Sequence, residues 1–216
     1  MTHSRHRSAI AAALTAAALV TGCQSNSGMA PLSLSGLTET ADGMPDDGAS
    51  TCPLPYDMVK AAESAGLDGK TGLGPVKKDG GTPVATAEGG KRAKAGDPLA
   101  ENPGVLVSCT FHIGQDDVQV HTVATRKPNA IVPLAPVVAS LTNSSSDDLV
   151  SYVNEAAEAK TGEMMVADSG NVAAVRLKLD GDGDAAVLVG AGEAGTTSLS
   201  RKQVGDLTEA LADQVQ

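Results

Sequence analysis

At 216 residues, with 26 acidic against 16 basic side chains and a formal charge of −10, the chain is acidic and long enough for one domain. That balance disfavours nucleic acid as a partner, because its phosphates would be repelled. Two Tyr, one Phe and no Trp leave no stacking platform for sugars or bases, so a modest core must be built from Val, Leu, Ile and Ala.

The first segment reads as a leader. His3, Arg5, His6 and Arg7 make a cationic start, and no acidic residue occurs before Glu39. Ala9 to Val20 is an apolar run of the length of a signal-peptide h-region, too short to span a hydrocarbon core of ~30 Å. His6 separates the two arginines, so the general secretory route is expected rather than a twin-arginine one. Val20-Thr21-Gly22-Cys23 then resembles the lipobox of bacterial lipoproteins. That resemblance implies cleavage after residue 22, acylation of Cys23 with palmitate-type chains, and an extracytoplasmic protein anchored to the outer face of the cytoplasmic membrane. The alternative is an ordinary secretory peptide in which Cys23 is incidental. Loss of Arg5 and Arg7 with the leader leaves 14 basic against 26 acidic residues, a formal −12 over about 194 residues.

Residues 23–51 are rich in Ser, Gly, Thr, Asp and Pro and are expected to form a flexible tether. With Cys23 assigned to lipid, Cys52 and Cys109 form an even pair, read as a disulfide. Closing a loop of about 58 residues is worth ~4 kcal/mol in the chain-entropy model. Pro55 opens a helix with Met58, Val59, Ala62 and Ala65 on its apolar face and Gly66 as its stop. The stretch 68–104 has no apolar period and is expected to be a disordered insertion. Between Asp68 and Gly96, Lys70, Lys77, Lys78, Lys91, Arg92 and Lys94 outnumber Asp68, Asp79 and Glu88. Such a run keeps a chain solvated; its functional reading is contact with an anionic wall polymer or lipid headgroup.

Val105 to Arg126 alternates as a hairpin about a turn at Gly114-Gln115-Asp116-Asp117, with Cys109 on its buried face. Pairing Ile113 with Val118 sets His112 and His121 diagonally on the solvent face, an incomplete metal site lacking a third ligand. A short helix is expected at Val137–Leu141. A longer one opens at Ser145, whose spacing to Asp148 mimics a capping box, and ends near Lys160-Thr161-Gly162. Strands are expected at 163–167, 172–179 and 185–190, with Met164 and Met165 as core filling rather than soft-metal ligands. Asp180, Asp182 and Asp184 have the spacing of a calcium loop, but Ala185 and Ala191 stand where its Gly and Glu belong. A hairpin turn explains the Asp-Gly repetition. Gly190, Gly192 and Gly195 match a dinucleotide fingerprint only in spacing, without a parallel βαβ unit. Ser200 and Gln203 form a capping box for a last helix with Val204, Leu207, Leu211 and Val215 on its stripe. Helices segregated from hairpins give an α+β fold over 52–216, an antiparallel sheet with helices on one face and one disulfide.

No nucleophile elbow, P-loop or Cys-rich metal motif occurs, so no catalytic residue and no cofactor is assigned. The pattern Cys23, Cys52-Pro53-Leu54, Ser108-Cys109-Thr110-Phe111, Val172-Ala173-Ala174-Val175-Arg176 and a closing helix resembles actinobacterial lipoproteins that carry a two-cysteine domain of unknown function. The resemblance implies an envelope location and no known activity. The expected function is a non-catalytic binding or accessory module, partnered with an envelope protein or a small ligand. An envelope-acting hydrolase with a carboxylate site is the alternative.

Overall fold

In the computed structural model, residues 31–45, 50–76, 85–89, 99 and 102–216 are described. The predicted hairpin is its centre. Two ten-residue strands, β3 (Gly104–Ile113) and β4 (Asp116–Thr125), pair antiparallel along their whole length. Strands β1 (Thr71–Leu73) and β2 (Ala85–Gly89) cover the far edge of β3. On the other side follow β7 (Asp184–Ala191), β6 (Val172–Leu177) and β5 (Met164–Val166), all antiparallel. Seven strands thus fill six positions, and the α+β class with one antiparallel sheet is as expected.

The layering differs from expectation, because helices cover both faces of the sheet. Helices α1 (Leu34–Asp42), α2 (Met58–Ser64) and α5 (Arg201–Ala212) close a core over Val105, Val107, Phe111, Val120, Val175 and Val187. Helices α3 (Ala135–Thr142) and α4 (Ser146–Glu158) close a second core over Leu106, Val123, Val172, Ala174 and Leu188. The physical reason lies in β6 and β7, where, apart from the Arg176–Asp184 pair at one end, both alternating sets are apolar and buried. A strand with no polar face needs cover on both sides.

Two segments read as irregular also hold regular elements. Inside the expected tether, Ser33 caps α1 by accepting the Gly36 N–H at 3.1 Å, and Leu37, Ala41 and Met44 are buried. Their i, i+4, i+7 spacing is a helical stripe that the surrounding Ser, Thr and Gly dilute. Within the expected insertion, β1 and β2 need no apolar period, because β3 supplies the backbone partners. Residues 77–84, 90–98, 100 and 101 lie outside the described residues, and with them Lys77, Lys78, Lys91, Arg92 and Lys94.

The hairpin register is shifted from the expected one. Phe111 pairs with Val118, His112 with Asp117 and Ile113 with Asp116 about a two-residue turn at Gly114 and Gln115. Gly114 takes φ +62, as a tight turn requires. Asp116 is drawn out of the turn because its carboxylate accepts the Ser198 N–H at 2.9 Å and the Ser198 hydroxyl. Cys52 and Cys109 are joined with their Cα atoms 5.4 Å apart, tying the entry to α2 onto the central hairpin. The capping box of Ser200 and Gln203 is formed, and the Ser145 hydroxyl accepts the Asp148 N–H and donates to its carboxylate.

Candidate functional site

A groove of about 1020 Å³ lies between α2 and α5. Two stripes on α5 create it. Val204, Leu207 and Leu211 are fully buried against the sheet, which leaves Lys202, Asp206, Glu209 and Asp213 on the opposite side, spaced by three or four residues. From α2 come Lys60 and Ser64, with the cap residue Asp57 before them. Gln214 clasps one end: its Oε1 accepts the Asp57 N–H at 2.6 Å and its Nε2 donates to the Asp57 carbonyl at 3.1 Å. Four carboxylates face two ammonium groups, and Lys202 is already paired with Asp206 on its own helix. Only Pro55 and Ala210 are apolar among the lining residues, whereas pockets for small organic ligands are mostly apolar. The groove is therefore polar, with two more carboxylates than ammonium groups along its lining.

The shifted hairpin register makes a second constellation. Ser108 pairs with His121, and the Ser108 Oγ lies 2.8 Å from the His121 Nδ1. The His121 Nε2 lies 3.3 Å from the Gln119 Oε1, so Nε2 carries the proton and Nδ1 accepts from the serine. The arrangement has the outline of a serine–histidine–amide relay, but its electrostatics are wrong for one. Burial lowers the His121 pKa to about 4, and a neutral amide cannot stabilise an imidazolium as a carboxylate does. These groups satisfy one another's hydrogen bonds within the second face.

His112 is held elsewhere. Its Nδ1 is 2.9 Å from the Gly74 carbonyl, and its ring lies against Gly72, where a Cβ would come within 2.4 Å of it. Ser108 and His112 are four residues apart on β3, so His112 and His121 are about 14 Å apart along the strand and do not form the diagonal pair expected from the sequence. Asp184 is likewise committed: its carboxylate accepts from Arg176 Nη2 at 2.9 Å and from the Ala130 N–H at 2.9 Å. Asp180 and Asp182 remain exposed at the β6–β7 turn, without Asp184 to complete a calcium loop. Among the described residues no group of three or more His, Cys, Asp or Glu could hold a metal ion.

A half-buried phenol, Tyr56, and a buried one, Tyr152, complete the inventory. Tyr56 and Thr122 share a hydrogen bond of 2.5 Å between their hydroxyls, and burial pushes the phenol pKa up. The Tyr152 phenol is also pushed up by burial, against the opposing charge of Arg201, and donates to the Met165 carbonyl at 3.3 Å. Cys23 lies outside the described residues. The groove was visible in the sequence only as the polar spacing of α5; the Ser108–His121 pair depends on a hairpin register that the apolar alternation alone does not fix. No protein-family model, curated protein or solved structure matches this chain.

Proposed function

We propose that this chain is an exported, lipid-anchored accessory module of the cell envelope that binds a partner through the α2–α5 groove and performs no chemistry of its own. The observation that carries the reading is the pairing of Cys52 with Cys109. Disulfides persist in oxidising compartments, and this one leaves Cys23 as the remaining cysteine of three, at the end of the basic and apolar leader. The likeness to actinobacterial lipoproteins supports the outer face of the cytoplasmic membrane as the location. The partner class follows from the lining of the groove. Four carboxylates against two ammonium groups suit a cation-bearing segment of an envelope protein.

The test is a cross-linked pull-down from intact cells, comparing the native chain, Cys23→Ala, and a charge reversal combining Asp206→Lys with Glu209→Lys. The reading expects a reproducible membrane-associated partner for the native chain, release of Cys23→Ala to the medium, and loss of the partner on charge reversal. Equal solubility of native and Cys23→Ala forms would contradict the anchor. Partner capture unchanged by the charge reversal would contradict the groove.

A further inference from the structure

The docking of α1 determines how far the domain can stand from a membrane. If residues 23–51 were all free chain, the domain would have a reach of about 100 Å. Instead the chain is pinned at Leu32, whose carbonyl accepts the Asp180 N–H at 2.8 Å, and Ser33 forms a bridge to Asp180. Leu37, Ala41 and Met44 then hold α1 in the core. Eight residues lie between Cys23 and Leu32, so the span is at most about 30 Å whatever conformation they take.

We infer that the end of the sheet carrying the β6–β7 turn is the membrane-facing surface of this protein, apposed to the lipid headgroups. The inference rests on the lipid anchor proposed at Cys23. The pin sits at Asp180, and the same end of the sheet includes the close of β4 and the bridge of Thr161 to Arg176. Among the described residues, exposed Arg126, Lys127, Lys160 and Lys178 stand there beside exposed Glu163, Asp180 and Asp182. These seven charges leave no negative surplus, on a chain whose formal charge is −12 once the leader is lost, so this end meets an anionic bilayer without the repulsion the chain as a whole would suffer. Covalent reach rather than charge keeps this end close to the bilayer, and that limit is insensitive to salt. The opposite end, with the Gly114–Gln115 turn, stands about 30 Å further out along β4 and faces the envelope.

The test uses the full lipidated chain in vesicles of phosphatidylcholine and phosphatidylglycerol containing a nitroxide-headgroup lipid. Lys178→Cys and Gln115→Cys are each labelled with a bimane fluorophore; the native thiols are occupied by the disulfide and by lipid. Several-fold stronger quenching at position 178 than at 115, unchanged at high salt, is expected. A long Gly-Ser insertion between Ala30 and Pro31 should erase the difference. Equal quenching at the two sites, stronger quenching at 115, or indifference to the insertion would overturn the inference. Intact mass measured on the same sample separates the two readings. A lipidated chain without the quenching difference sinks the orientation alone, and a chain lacking lipid on Cys23 sinks the anchor and the orientation together.

Discussion

His121 shows what burial does to a single titratable group in this fold. Its imidazole is neutral, holds Ser108 and Gln119, and has its pKa lowered from 6.5 to about 4 by desolvation. The unfolded chain binds this proton first, so the contribution to stability is present above pH 6.5 and is lost as pH falls towards 4. The loss amounts to roughly 3 kcal/mol at most. Denaturant titrations across that window should show a steeper loss for the native chain than for His121→Gln; parallel curves would mean that the imidazole is not buried. The pair of Arg176 with buried Asp184 is a second residue-scale element, with Arg176 also donating to the Ala159 carbonyl at 2.8 Å. Arg176→Met strands a buried carboxylate and should cost about 2–3 kcal/mol in urea denaturation, less than for a fully buried pair because the arginine is partly exposed. Lys202→Met removes an exposed helical pair and should change stability by no more than about 0.5 kcal/mol.

At the scale of elements, α1 divides the two accounts of the N-terminal region. A free tether predicts no effect of Leu37→Ala, whereas a docked helix with Leu37 only 2% exposed predicts a loss of about 2–4 kcal/mol in thermal or urea unfolding. This helix was hidden in the sequence because its apolar residues are few and set among Ser, Thr and Gly. By contrast α5 was legible end to end, since its capping box and its apolar stripe reinforce each other. The positions of β3 to β7 were legible too, but not those of β1 and β2 nor the layering. Alanines in β6 and β7 read as weakly apolar on either face, and only the tertiary structure shows Ala174 and Ala186 buried under α3 and α4. The hairpin register escaped because Asp116 looks like a turn residue until Ser198, far along the chain, takes its carboxylate. The groove escaped for a similar reason: its two walls, α2 and α5, are separated by most of the domain.

For the whole molecule, acidic composition, a disulfide-closed domain, a docked N-terminal helix and a lipobox-like leader are mutually consistent in a protein held at a membrane surface. No helix among the described residues is long and apolar enough to cross a membrane. In this account the disulfide stabilises the domain where it is exported, α1 holds it near the bilayer, and the α2–α5 groove is left open to a partner. The measurement that tests this most directly is the intact mass of the protein extracted from the membrane fraction of its cells. A chain beginning at Cys23 and carrying the added mass of a diacylglyceryl group is the predicted result. A chain that retains residues 1–22, or begins elsewhere with an unmodified Cys23, would contradict the account.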